Sequence, residues 1–316
     1  MIAFLIILSS LVLLLLLGGF YAYHQAFYRG GSKKNVKEYF DKNETFQSSL
    51  EQIKLMIADI DSCHSEDVYI KSYDGTLLYA QYFHLGDNFP VQILMHGYKG
   101  NAKRDMCGGH MLARQLKHNI LLIHQRGCGK SGGKTISFGV KERLDALCWA
   151  RYVTDRFGNV PIFLVGVSLG GAVALMATDT DLPKNVVGVI ADCPYSSPKD
   201  IIAKVCTDRG MPKLIYPIVT LGALVFGRFN PNKEGAVKSV KNSRVPILIL
   251  HGEKDGFVPV SMAWEIYESA TCQKQIFIFE NADHGTCYMS DPERYEHAVA
   301  DFIKYCLKSR PSVDNL

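Results

Sequence analysis

Ser168 stands in the segment Gly166-Val167-Ser168-Leu169-Gly170, which has the pattern G-x-S-x-G between a predicted strand and a predicted helix. A sharp strand-to-helix turn forces such a serine into a strained backbone conformation, and the flanking glycines are needed because a Cβ there would clash with the neighbouring chain. The turn lifts the hydroxyl out of the sheet and sets it beside the Leu169 N–H at a helix N-terminus, which favours negative charge. The pattern therefore predicts a nucleophilic serine rather than a capping serine in a glycine-rich turn.

A serine nucleophile needs a base to take its proton, and the base needs a carboxylate to fix its tautomer. His284 follows the last predicted strand in a glycine-containing loop, and we predict it as the base. The acid that we predict is Asp255, in the turn-rich loop after the preceding strand, with Asp192 and Glu253 as alternatives. The chain order Ser168, Asp255, His284 is one of the orders in which such triads occur.

The tetrahedral intermediate of acyl transfer also needs two backbone N–H donors for its oxyanion. The loop after the third predicted strand reads His-Gly-Tyr-Lys-Gly-Asn over residues 96–101, and its glycines let the main chain approach a substrate closely. We predict the N–H groups of Tyr98 and Leu169 as the oxyanion hole. The Tyr98 side chain is also expected to contact substrate.

The elements that must position these residues follow from the apolar pattern. Short apolar runs predict eight strands, over residues 67–72, 77–84, 91–95, 120–124, 161–166, 186–191, 245–250 and 275–280. Helices are predicted between them at 103–117, 141–157 and 169–178, and later at 260–270 and 292–307. The first two strands are expected to pair antiparallel around Asp74-Gly75, while the alternation of strands and helices predicts a mostly parallel sheet covered on both faces. Ligands of such sheets sit at the carboxyl ends of the strands.

More than fifty residues separate the strand that ends at Ala191 from the one that begins at Val245, which is too long for a plain connection. We predict a cap insertion over residues 196–242. Residues 214–226 carry no charge and predict a helix that either packs on the domain surface or forms an apolar roof over the active site, where it would admit lipid-borne substrates. The candidate substrate-binding residues here are Tyr195, Tyr216 and Leu224.

The N-terminal segment is apolar and uncharged from Ile2 to Tyr23, long enough for a spanning helix, and offers no clear signal-peptide cleavage site. We predict a single-pass membrane anchor over residues 1–28. Basic residues on its C-terminal flank favour a cytoplasmic catalytic domain by the positive-inside rule; they are Arg29, Lys33, Lys34 and Lys37. Residues 29–66 are predicted as a linker with an amphipathic helix at 47–61 that packs on the edge of a catalytic domain over residues 67–310.

Composition and spacing exclude several other classes of protein. The 316 residues carry a formal net charge of +4, largely near the N-terminal end, with no basic patch of the kind that binds nucleic acid. No two of the nine cysteines are three positions apart, so no zinc knuckle or thioredoxin motif is present, and reduced thiols are expected. Gly127, Gly129 and Gly132 form G-x-G-x-x-G, but no helix is predicted to follow, and 133–135 lacks the spacing of a phosphate-binding loop. We predict no metal and no cofactor, and the sequence predicts no oligomeric state.

Taken together, these motifs resemble those of the α/β-hydrolase superfamily, in the compact group that includes bacterial esterases and serine-peptidase-like hydrolases. The resemblance covers residues 67–307 and rests on His96-Gly97, the loop 125–131, Gly166–Gly170, Asp255 and His284. It implies an α/β-hydrolase fold with a mostly parallel eight-stranded sheet and a small helical cap. It also implies a serine hydrolase of small-molecule or lipid-like esters; a peptidase or amidase and a non-catalytic binding protein are the alternatives. Gln125 stands where many relatives carry aspartate, and we expect it to change local hydrogen bonding without loss of chemistry.

Overall fold

An eight-stranded sheet forms the centre of the computed structural model, which describes residues 1–30, 41–42 and 44–309. The strands are β1 (Glu66–Lys71), β2 (Leu77–Phe83), β3 (Val91–Met95), β4 (Asn119–His124), β5 (Ile162–Val167), β6 (Val186–Asp192), β7 (Ile247–Gly252) and β8 (Lys274–Phe279). Their order across the sheet is β1-β2-β4-β3-β5-β6-β7-β8. Strand β2 pairs antiparallel with β1 and β4, whereas the pairs from β4 to β8 are parallel. The predicted fold class is confirmed, and each strand lies within two residues of its predicted bounds.

Helices cover both faces of this sheet. They are α1 (Ile2–Ala26), α2 (Glu44–Ser48), α3 (Leu50–Ser62), α4 (Ala102–Asp105), α5 (Cys107–Gln115), α6 (Glu142–Phe157), α7 (Leu169–Ala177), α8 (Pro198–Asp208), α9 (Ile215–Gly222), α10 (Ala236–Val240), α11 (Val260–Ser269), α12 (Cys287–Ser290) and α13 (Pro292–Lys308). Successive strand residues point into opposite apolar layers: Ile93 lies in the same buried cluster as Trp149 of α6, while Leu94 lies in the cluster that contains Phe302 of α13. Because both of their faces are buried, the central strands such as β3 and β7 are nearly continuous apolar runs, whereas the edge strand β1 is mostly exposed.

The helices depart from the sequence expectations at a few places. The helix predicted at 103–117 is two helices, α4 and α5, with a break at Met106. Helix α8 was not predicted, although it begins at a capping serine, since the Ser197 hydroxyl accepts the N–H of Asp200 at 3.1 Å and Pro198 follows. The helix predicted at 214–226 is α9 followed by a π-helical turn, Ala223–Gly227.

The C-terminal part of helix α1 packs against α9, and its N-terminal part extends away from the body of the protein. Within the described residues it is the one helix long and apolar enough to cross a membrane. Its C-terminal part crosses α9 at close range, because a Cβ added to Gly222 would lie 2.3 Å from the Gly19 carbonyl oxygen. Arg29, on its C-terminal flank, is described, while Lys33, Lys34 and Lys37 lie outside the described residues.

Candidate active site

Ser168 occupies the turn between β5 and α7 with φ 55° and ψ −115°, a left-handed conformation that a non-glycine residue rarely adopts. The flanking glycines make this turn possible. A Cβ on Gly166 would lie 2.2 Å from the carbonyl carbon of Gly170, and a Cβ on Gly170 would lie 2.0 Å from the main-chain oxygen of Met95. The Ser168 N–H donates to the Asp192 carbonyl oxygen at 2.8 Å, which ties the turn to β6.

His284 lies between Ser168 and Asp255. Its Nε2 is 2.9 Å from the Ser168 Oγ, and its Nδ1 is 2.8 Å from the Asp255 Oδ2. All three side chains are buried. Burial by itself would lower the pKa of His284, but the charge of Asp255 and its hydrogen bond outweigh burial and raise that pKa above its ordinary value. The arrangement gives the imidazole the basicity that proton transfer from a hydroxyl requires.

Asp255 is held as a carboxylate by four donors. Its Oδ1 accepts the N–H groups of Phe257 at 2.9 Å and Val258 at 2.7 Å, while its Oδ2 faces His284 and, at 3.2 Å, the Nε2 of His251. The His251 Nε2 also lies 2.9 Å from the Val258 carbonyl oxygen. Burial would raise the pKa of Asp255, but the charge of His284 and the hydrogen bonds from both imidazoles hold it far below the ordinary value.

The two alternative acids take other positions. The Glu253 side chain is exposed. Asp192 is buried beside the triad, its Oδ1 has no hydrogen-bond partner among the described residues, and burial raises its pKa. The described structure therefore joins His284 to Asp255 rather than to either alternative.

The loop after β3 is fixed against Ser168 by its own hydrogen bonds. A Cβ added to Gly97 would lie 3.7 Å from the Ser168 Cβ, so the main chain passes directly beside the serine. The buried His96 donates from Nδ1 to the Gly97 carbonyl oxygen at 2.8 Å and accepts the N–H of Gln125 on Nε2 at 3.0 Å. The Gln125 amide in turn donates to the His96 carbonyl oxygen. These bonds fix the loop that carries Tyr98 beside the Ser168 turn, and the N–H groups of Tyr98 and Leu169 as oxyanion donors stay a prediction.

The same loop also binds the end of α1. The Tyr98 hydroxyl donates to the Ala26 carbonyl oxygen at 2.5 Å, and the Lys99 ammonium donates to the Gln25 carbonyl oxygen at 3.1 Å. The last carbonyls of a helix lack partners within it, and a cation there also suits the helix dipole. Two side chains of the predicted oxyanion loop thus cap the N-terminal helix.

A cavity of about 110 Å³ opens beside Ser168. Tyr98, Ser168 and His284 line it together with Asp192. The rest of the wall is largely apolar and comes from α2, α3, α5, α12 and their neighbours, including Phe46, Ile53, Met106, Cys107, Tyr288 and Met289. Since Phe46 and Ile53 belong to the region before β1, the helix that was expected only to pack on the domain also contributes to the cavity.

Three candidate substrate-binding residues lie outside this lining. Tyr195 is buried in the core, where its ring faces Phe138 at 6.3 Å. The Tyr216 hydroxyl donates to Asn232 at 2.6 Å, and Leu224 points away from the core, 46% exposed. The cap helix packs on α1 instead of roofing the serine, so a contact of these residues with substrate remains a prediction.

Within the described part of the chain, Cys193, Asp255 and His284 form a cluster of possible metal ligands, with ligand atoms within 4.8 Å of one another. Both nitrogens of His284 are already engaged by Ser168 and Asp255. Burial raises the pKa of Cys193 well above its ordinary value, which disfavours the thiolate that metals bind. The cluster fits proton transfer better than metal binding.

Comparison with known proteins identifies the fold that carries this site. A family model described as the alpha/beta hydrolase fold matches residues 90–210. The structure of the esterase Pf2001 from Pyrococcus furiosus superimposes with a TM-score of 0.63 at 23% identity, covering 78% of this chain and 93% of that one. The chain has the α/β-hydrolase fold.

Sequence relatives of this chain include proteins with and without a described activity. The uncharacterized protein YqkD of Bacillus subtilis is 26% identical over 216 residues, which cover 67% of this chain and 70% of YqkD. Protein bem46 of Schizosaccharomyces pombe is 24% identical and covers 93% of this chain and 90% of its own length. The lysophosphatidylserine lipase ABHD12 of Danio rerio is 24% identical over 59% of this chain and 49% of the lipase. The proteins that this chain resembles thus include an esterase in fold and a lipase in sequence.

Proposed function

We propose that this α/β-hydrolase is a serine hydrolase that cleaves carboxylic esters through an acyl-enzyme. The observation that carries the proposal is the hydrogen-bonded chain from the Ser168 Oγ through His284 to the Asp255 carboxylate, with 2.9 Å and 2.8 Å between the bonded atoms. The strained conformation of Ser168 supports it further, since backbone strain of this kind clusters at active sites.

In the proposed reaction the Ser168 Oγ attacks the ester carbonyl carbon while its proton passes to the His284 Nε2. Asp255 holds the Nδ1–H and stabilises the imidazolium, and the N–H groups of Leu169 and Tyr98 bind the oxyanion. Collapse of the intermediate breaks the bond to the alkoxide, which takes the proton from His284. Water then attacks the acyl-enzyme, His284 accepts the proton of the water, and Ser168 is released with the carboxylic acid.

The proposed substrates are lipid-like esters, with small-molecule esters as simpler members of the same class. The apolar side chains of Phe46, Ile53, Met106 and Met289 suit an acyl chain better than a peptide. A lysophosphatidylserine lipase among the relatives agrees with this choice.

We also propose that α1 anchors the enzyme in a membrane with the catalytic domain on the cytoplasmic side. The length and composition of α1 support the anchor, and Arg29 with Lys33, Lys34 and Lys37 supports the orientation. Fractionation of expressing cells should recover the intact protein in membranes after an alkaline wash, and external protease should leave the catalytic domain intact. Intact protein free in the culture medium would contradict both parts.

A fluorophosphonate probe tests the nucleophile directly. The full-length protein should be labelled at Ser168, and Ser168→Ala should not. Folded wild-type protein that is never labelled and turns over no ester would instead support a non-catalytic binding protein of this fold.

The bond type is tested separately with paired substrates. Short-chain aryl esters should be hydrolysed well above the rate of aminoacyl amides, because the apolar part of the cavity wall suits an acyl group. The reverse ranking would make the protein a peptidase or amidase.

A further inference from the structure

An apolar surface extends from α1 onto the cap. The cap segment, residues 214–227, contains no charged residue and begins after Lys213 and ends before Arg228. Three of its large apolar side chains are exposed: Leu214 at 81%, Leu224 at 46% and Val225 at 46%. Exposed apolar surface of this size on a charge-free segment is unfavourable in water and calls for a partner.

The cap segment and α1 form one packed unit. Gly19 and Gly222 let the two backbones approach so closely that a Cβ on Gly222 would lie 2.3 Å from the Gly19 oxygen. One turn before Gly222 in the cap segment, the Ile218 Cγ2 would lie 3.3 Å from a Cβ on Gly18. One turn after Gly222, the ring centroid of Phe226 lies 5.2 Å from that of Phe20. Small residues at a close helix crossing are typical of helix pairs in membranes.

The length of α1 then sets the depth of the cap segment. The stretch from Ile2 to Leu17 is exposed throughout, and its 16 residues span about 24 Å at 1.5 Å per residue. A hydrocarbon core of about 30 Å needs roughly 20 residues, and even a thin one of about 27 Å needs roughly 18. Gly18, Gly19 and the residues after them must therefore lie inside the hydrocarbon, and these are the residues that contact the cap segment.

We infer that the cap segment is embedded in the near leaflet of the lipid bilayer, packed on α1. The occupant of its exposed apolar face is lipid. Lys213 and Arg228, at the two ends of the segment, are placed to reach phosphate headgroups, as basic residues beside apolar membrane segments do. The inference rests on the proposed anchor and deepens it: the hydrolase domain is held against the bilayer by two apolar elements instead of one.

Tryptophan fluorescence in brominated-lipid vesicles tests this placement. In a Trp264→Phe background, which removes the exposed native tryptophan, full-length Leu224→Trp and Leu14→Trp are reconstituted into phosphatidylcholine vesicles with and without bromine on the acyl chains. Leu55→Trp is the matched control, because Leu55 is 72% exposed on α3 beside the ion pair of Lys54 and Glu51.

We expect brominated chains to quench most of the emission at positions 224 and 14 and to leave position 55 unchanged. Quenching at 14 alone overturns the embedded cap and leaves the anchor intact, whereas quenching at neither position overturns both. Blue-shifted emission at 224 without quenching would mean that protein, such as a second copy of this chain, covers the face instead of lipid. None of these outcomes depends on ester hydrolysis, so the proposed catalytic function is judged separately.

Discussion

Replacing Asp255 by asparagine isolates the contribution of its charge to the proposed base. The amide oxygen of asparagine can keep the bonds that Asp255 Oδ1 accepts from the N–H groups of Phe257 and Val258, so the loop after β7 should hold its shape. The amide NH₂ then faces the His284 Nδ1, which must become an acceptor. The proton of the imidazole consequently moves to Nε2, which can no longer accept the Ser168 hydroxyl proton.

The size of the effect follows from this change of tautomer. The equivalent change in a serine triad lowers kcat by about 10⁴, which corresponds to about 5 kcal/mol of transition-state stabilisation. The free energy of unfolding should fall by only about 1 to 2 kcal/mol, because the remaining loss is that of a charged hydrogen bond. The variant should therefore be folded and almost inactive.

The pH profile carries the second part of this prediction. Activity needs neutral His284, so kcat/KM rises with pH as the imidazolium loses its proton. Because Asp255 raises the pKa of His284 above 6.5, the acid limb of the wild-type profile should lie above pH 6.5. Without the carboxylate charge, burial lowers the pKa of His284, and the limb of Asp255→Asn should move to lower pH.

The assay is initial-rate hydrolysis of a short-chain aryl ester between about pH 5 and 9, the range in which histidine titrates. Glu253→Gln and Asp192→Asn serve as controls, since neither carboxylate is hydrogen-bonded to His284. If Asp255→Asn kept its kcat within about tenfold of wild type with an unmoved acid limb, the orienting role would be refuted. A large loss in Asp192→Asn alone would transfer that role to Asp192.

Two further predictions concern the scaffold, and urea unfolding measures both. Gly170→Ala should lower the free energy of unfolding by about 3 kcal/mol or more and abolish fluorophosphonate labelling, because the new Cβ would lie 2.0 Å from a main-chain atom. The control is Gly109→Ala, at a helical glycine whose nearest contact is the flexible end of a methionine at 3.2 Å. This change should alter the free energy of unfolding by less than about 1 kcal/mol. Equal effects would contradict the steric explanation of the motif. Arg126→Met should lower the free energy of unfolding by about 3 to 5 kcal/mol, because it leaves the buried carboxylate of Asp145, 2.6 Å from the guanidinium, without its charged partner. Arg151→Ala, which removes one side of the exposed pair with Asp181, should lower it by less than about 1 kcal/mol. A loss below about 1 kcal/mol in Arg126→Met would show that the buried pair adds little.

The sheet and the Ser168 turn were predictable because their signals are local. The central strands are short apolar runs buried on both faces, and Gly166 is required by its contact with Gly170, so that both residues lie within two positions of Ser168. Chain order and strand ends were enough to select His284 and Asp255 for the site. The structure brings these residues together, while their catalytic roles remain predictions.

The cavity wall and the cap were not predictable in the same way. Phe46 and Ile53 belong to an amphipathic pattern that indicates an apolar face but not what that face covers. The cap segment was interpreted as a surface helix or a roof because nothing in its sequence specifies the crossing of Gly222 with Gly19, some 200 positions earlier. Such contacts depend on tertiary packing, which periodicity does not encode.

The hydrogen bonds from Tyr98 and Lys99 to the last carbonyls of α1 mean that the proposed anchor is joined directly to the loop beside Ser168 and not through a flexible tether. A soluble fragment that starts after residue 28 would deprive both side chains of these acceptors and leave the loop beside Ser168 to find new ones. Rate constants measured on such a fragment would refer to a protein whose loop beside Ser168 has different hydrogen bonds. Kinetics and inhibitor screening should therefore use the full-length protein in detergent or nanodiscs.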